Sequence, residues 1–136
     1  MAGESIPQLT TPSGHGETVL VIEDDDQLRG VLKKAFTRFD YQVLEATCVG
    51  EALQHWIDHR PKIKLIVSDN DLNSPGIGLL AMRRFAKEQP QTLCILASGS
   101  LTPADMEELH ATTRIRCLPK PYTLTELFAL VRKGID

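Results

Sequence analysis

Five short apolar runs, Thr18–Glu23, Tyr41–Ala46, Lys64–Asp69, Thr92–Ala97 and Ile115–Leu118, alternate along the chain with segments of helical period. That alternation is the strongest constraint on the fold. The first run, TVLVIE, is continuous rather than alternating, as expected of a strand covered on both faces. Between the runs the apolar positions fall at helical spacing: Leu28, Val31, Leu32, Ala35 and Phe39; Val49, Ala52, Leu53, Trp56 and Ile57; Ile77, Leu80, Ala81 and Phe85; and finally Leu124, Leu127, Phe128 and Val131. Pro61 and Pro90 close two of these helices, Thr102-Pro103 opens a short one, and Thr123 with Glu126 has the spacing of a capping box. Five βα units with right-handed crossovers make an α/β fold, a doubly wound open parallel sheet with helices on both faces.

The length, 136 residues, leaves room for one such domain. Residues 1–17, rich in Pro, Gly, Ser and Thr, are expected to form a disordered tail or linker, and residues 18–136 the domain. A net charge of −3 lacks the basic footprint of a nucleic-acid binder. No apolar run is long enough to span a bilayer and no secretory signal is visible, so a cytoplasmic location without membrane insertion is expected. Cys48, Cys94 and Cys117, odd in number and without CxxC spacing, read as buried thiols.

In a doubly wound sheet, ligands bind beyond the carboxyl ends of the strands. Strand one ends in Glu23-Asp24-Asp25-Asp26, strand three in Asp69, strand four in Ser98 and strand five in Lys120. Clustered carboxylates repel unless they share a proton or a cation. Mg²⁺, a hard ion that takes one or two carboxylates plus phosphate oxygens, suits them. A lysine and a serine hydroxyl beside it can hold the remaining phosphoryl oxygens, and a central carboxylate can act as nucleophile.

The segments VLVIEDDDQLR, LIVSDNDL, ILASGS and LPKPY, in that order and spacing, resemble the receiver domain of two-component response regulators from about Thr18 onward. The resemblance implies a flavodoxin-like strand order 2-1-3-4-5. It makes Asp69 the phosphoacceptor, and Glu23 and Asp24 the acidic pair, with Asp24 the direct metal ligand. The main-chain carbonyl of Asp71 would complete the Mg²⁺ site. Ser98 matches the switch hydroxyl, Lys120 the active-site lysine, and Lys120-Pro121 the family's cis peptide. The implied function is a phosphoacceptor that takes a phosphoryl group from a histidine kinase or phosphotransfer protein and switches a partner-binding surface. It catalyses only its own phosphorylation and dephosphorylation, without ordinary turnover. Ser13–Thr18 resembles the linker before the receiver of hybrid sensor kinases, so such a receiver and a stand-alone regulator are both expected contexts.

Three features depart from the family pattern. The stretch Asp69–Gly78 lacks the usual Met-Pro and is one residue longer before the glycine. Asp71 places a carboxylate two positions after the acceptor, where it can face the phosphoryl group. Cys117 stands where many relatives carry Tyr or Phe.

Other readings of the same residues are weaker. The acidic run alone reads as a solvated helix start. Asp69-Asn70-Asp71 also resembles the DxD motif of haloacid-dehalogenase-type phosphatases, but there the acidic pair follows the nucleophile and here it precedes it. A receiver fold serving as an unphosphorylated interaction module would not need the complete acid, acceptor, hydroxyl and lysine set. His55 and His59 lie four apart but lack a third metal ligand. Trp56 reads as core, and His15 and His110 as solvated.

Overall fold

The computed structural model describes residues 16–72 and 74–135. The predicted tail therefore lies almost wholly outside the described residues, as does His15. Strands β1 (Thr18–Ile22), β2 (Gln42–Ala46), β3 (Ile63–Asp69), β4 (Leu93–Ser98) and β5 (Ile115–Pro119) alternate with helices α1 (Asp26–Arg38), α2 (Val49–His59), α3 (Ile77–Glu88), α4 (Pro103–Thr112) and α5 (Leu124–Ile135). A 3-10 turn over Arg60–Lys62 carries Pro61 and ends the second unit. All strand pairs are parallel and the sheet order is β2-β1-β3-β4-β5, as expected from the resemblance.

Side chains alternate across each strand, so every central strand feeds two cores. Leu20, Ile22, Ile66 and Leu96 pack under α2, α3 and α4 with Trp56, Met82, Phe85 and Leu109. Val19, Val21, Leu65, Val67 and Ile95 pack under α1 and α5 with Phe36, Leu127, Phe128 and Val131. Burial of each large apolar side chain is worth about 1.5–3 kcal/mol. Trp56 is core, its ring centre 4.6 Å from that of Phe85 with the planes tilted by 40°, and its indole N–H donates to Glu88. Among the described residues no helix is long and apolar enough to cross a membrane.

The helix stripes need correction at their margins. Val31, Ile57 and Leu80 are 46%, 68% and 65% exposed, whereas Phe36, outside the predicted stripe, is fully buried. A helix on a flat sheet buries a narrow arc, so a residue at the edge of the apolar stripe tips into solvent. Cys94 and Cys117 are buried thiols, but Cys48 is only partly covered because it occupies the N-cap of α2. His110 is exposed as expected, yet its ring Nε2 accepts the Cys117 backbone N–H at 3.3 Å.

Candidate functional site

Parallel strands all end on one edge, and the loops leaving β1, β3, β4 and β5 there carry the predicted residues. The acidic run after β1 divides its labour. Glu23 continues the ladder through its N–H to Ala46, and its carboxylate accepts from the Asp25 N–H at 3.1 Å. Asp25 is the N-cap of α1, accepting from Gln27 and Leu28 N–H, and Asp26 pairs with Arg29. Only Glu23 and Asp24 remain for the site. One carboxylate oxygen each from Glu23, Asp24 and Asp69 lie within 4.8 Å of one another.

Asp69 closes β3 and is 7% exposed. Its Oδ1 accepts from Lys120 Nζ at 2.8 Å and from the Asp71 N–H at 3.1 Å. Both donors converge on one oxygen, which leaves Oδ2 without a hydrogen bond from any described residue. Lys120 reaches Asp69 from the loop after β5, where the Lys120-Pro121 peptide is cis as the resemblance implied. Ser98, also 7% exposed, ends β4, and its hydroxyl accepts the Ser100 N–H at 3.1 Å.

Electrostatics follow from burial and proximity. Burial pushes the Glu23 carboxyl up to about 7, helped by Asp24 and the charge of Asp69 and opposed by the Asp25 N–H and Lys120. Burial also works against the Lys120 ammonium, but the hydrogen bond and charge of Asp69, with Glu23 and Asp71 beyond, outweigh it and hold its pKa above the usual lysine value. A carboxyl raised this far lies among like charges that a shared proton or a cation would relieve.

Asp71 has a contact within its own loop. Its carboxylate turns into its own loop, where Oδ1 accepts the Gly76 N–H at 3.2 Å. The His55 ring Nε2 lies 2.9 Å from the Glu45 carbonyl, and among the described residues the group of three or more acidic, His or Cys side chains with metal-binding spacing is Glu23, Asp24 and Asp69.

Three supporting residues were invisible to sequence reasoning. Arg29 donates to the Glu23 carbonyl at 2.9 Å and ion-pairs with Asp26 and Glu45, tying the acidic loop to β2. Asn70, 3% exposed, links β3 to α3 and β4. Gly78 lies so close to the acceptor strand that an added Cβ would sit 2.2 Å from the Asp69 carbonyl oxygen. A periodicity pattern marks none of these; the only sequence signal was a buried-type polar residue directly after a strand-end acid.

Comparison with known proteins agrees with this geometry. The chain is 28% identical over 136 residues to the sensor kinase CckA of Brucella abortus, covering 98% of this chain but 14% of the kinase. The chain thus spans a small fraction of that relative's length. A response regulator receiver domain protein from Clostridium thermocellum superposes with a TM-score of 0.76 at 20% identity, over 88% of this chain and 94% of the other. The receiver domain of the hybrid histidine kinase CckA superposes with a TM-score of 0.71 at 24% identity, over 88% and 99% of the two chains. The model of the response regulator receiver domain matches residues 19–132. With that match spanning all five strands and most of the last helix, the chain belongs to the response regulator receiver domain family, the signalling phosphoacceptors of two-component systems.

Proposed function

We propose that Asp69 accepts a phosphoryl group from a phosphohistidine of a histidine kinase or phosphotransfer protein. The observation that carries this reading is the Asp69–Lys120 contact at 2.8 Å beside two further carboxylates. Oδ2 of Asp69, free of hydrogen bonds, forms the new O–P bond as the P–N bond to the donor imidazole breaks, the electron pair and then a proton going to that nitrogen. Lys120 stays paired through Oδ1 and meets the transferred group as a fixed positive charge, stabilising the negative charge that gathers on its oxygens. Ser98 donates its hydroxyl proton to one of those oxygens, which would otherwise be a costly unpaired acceptor.

Glu23, Asp24 and Asp69, with the Asp71 carbonyl, would hold Mg²⁺: the donor set is all oxygen, three carboxylates strong, and repels itself when empty. When bound, the ion supplies Lewis-acid charge stabilisation. An apolar depression of about 520 Å³ lined by Leu28, Val31, Tyr122 and Leu124 flanks Lys120. The phosphatase alternative is disfavoured by the order of the acids: Glu23 and Asp24 precede Asp69, whereas in those phosphatases the acidic pair follows the nucleophile.

The test is incorporation of phosphate from acetyl phosphate or phosphoramidate with Mg²⁺, followed by intact mass. The wild type should gain one acid-stable, base-labile phosphoryl group and Asp69→Asn none. Unchanged incorporation in Asp69→Asn would remove the assignment.

A further inference from the structure

Asn70 follows the acceptor directly, is 3% exposed, and is the buried polar side chain that joins three elements of the site. Its backbone N–H donates to the Ala97 carbonyl of β4 and its carbonyl accepts the Gly78 N–H of α3, both at 2.9 Å. The side chain repeats the bridge. Oδ1 accepts the Leu79 N–H at 2.9 Å, and Nδ2 lies 3.5 Å from Ser98 Oγ. A backbone N–H can only donate, so the amide oxygen must face Leu79, and the NH₂ group is thereby turned toward Ser98.

The consequence falls on the Ser98 hydroxyl, which has one proton and two lone pairs. Asn70 Nδ2 and the Ser100 N–H both approach as donors, at 3.5 and 3.1 Å, and occupy the lone pairs. The proton is what remains, and its neighbour is the Ser100 hydroxyl at 3.3 Å, an exposed side chain that water can serve equally well. We infer that Asn70 is a positioning residue: it fixes Ser98 as a hydrogen-bond donor, ready to turn its proton onto an anionic oxygen formed at Asp69, and it ties that hydroxyl to the first turn of α3. The inference rests on the reading of Asp69 as phosphoacceptor. Without Asn70 one lone pair of Oγ is open, and the hydroxyl can rotate to accept instead of donate. With a carboxylate in its place the polarity reverses, because Ser98 must then spend its proton on residue 70.

A double-mutant cycle on the full chain tests this, with beryllofluoride and Mg²⁺ as the phosphoryl mimic and ¹⁵N amide spectra as the readout. Asn70→Leu should weaken beryllofluoride binding about fivefold, the scale of one net hydrogen bond. Asn70→Leu in a Ser98→Ala background should cost nothing further, because the effect passes through the hydroxyl. A merely structural Asn70 would weaken binding equally in both backgrounds, which would overturn the inference. Before any mimic is added, Asn70→Leu should already move the Ser98–Ser100 amides, and Ser98→Ala should move the Asn70 side-chain NH₂ resonances. Unmoved resonances would also overturn it. Should Asn70→Leu fail to fold, Asn70→Asp keeps an acceptor for Leu79 and is judged by the same cycle. If the wild type shows no beryllofluoride response, the phosphoacceptor reading falls, while the metal-free spectra still decide whether Asn70 governs Ser98.

Discussion

Lys120 Nζ and Asp69 Oδ1 meet at 2.8 Å across 51 residues of sequence, and the Asp71 N–H shares the same oxygen. The pairing makes the two carboxylate oxygens unequal: Oδ1 is held by two donors, while Oδ2 has no hydrogen bond from any described residue. A surface ion pair of this length would contribute little to stability. Under the proposed phosphoacceptor role, its value would lie in fixing which oxygen reacts.

Asp24→Asn removes one member of a cluster that repels itself. Metal-free stability should stay level or rise, while Mg²⁺ affinity should fall at least about tenfold, or about 1.4 kcal/mol. Thermal melts with and without Mg²⁺ check both halves, since a ligand that binds only the folded state stabilises it by an amount that grows with the logarithm of ligand concentration over Kd. A full metal-dependent shift in the variant would place the ion elsewhere.

Gly78→Ala should destabilise the protein by about 1–3 kcal/mol and slow phosphorylation as well. The new methyl would meet main-chain atoms of Asp69 and Asn70 rather than a yielding side chain, so the acceptor strand itself must move. Urea unfolding measures the first effect, and incorporation from phosphoramidate by the folded variant the second.

The strand ends were legible because each short apolar run gives way to a segment of 3.6-residue period, and topology then gathers Glu23, Asp69, Ser98 and Lys120 on one edge. What was not legible depends on register and loop path. The hydrogen bond from the Gly76 N–H to the Asp71 carboxylate depends on the loop path, which spacing does not report. Asn70 and Gly78 matter only because α3 begins within contact of the β3 terminus, a distance no spacing rule reports. Ile57 and Leu80 satisfied the helical stripe and still face solvent, since periodicity gives the direction of the apolar arc better than its width.

His110 should make stability depend on pH. Partial desolvation of the ring first, and the nearby charge of Arg116 second, lower its pKa below the usual 6.5, and its ring nitrogen accepts the Cys117 N–H only when unprotonated. The unfolded chain therefore binds the extra proton more readily than the folded one. The stabilising contribution is complete above about 6.5 and is lost as pH falls from there through the lower folded value. His110→Gln, which keeps an acceptor, should flatten this part of the profile in denaturant titrations taken at successive pH values. A profile unchanged by the substitution would assign the slope to other groups.

Cys117 bears on how a signal leaves the site. A cavity of about 100 Å³ lies beside the active edge, lined by Ser98, Leu101, Met106 and Cys117 among others. When the Ser98 hydroxyl turns toward a phosphoryl oxygen, some side chain must take up the vacated space, because a void forfeits dispersion contacts along its whole lining. An aromatic on β5 could swing in and reshape the outer face. Cys117 is too short for that, is 8% exposed, and has its backbone N–H held by His110. Leu101 and Met106 are half-buried, and Met is unbranched and adaptable, so the repacking should come from the β4–α4 side. Amide shifts on adding beryllofluoride with Mg²⁺ should accordingly be largest between Gly99 and Met106, with the partner surface on α4. If the largest shifts instead surround Cys117 and α5, the output runs through β5 and this account of the switch is wrong.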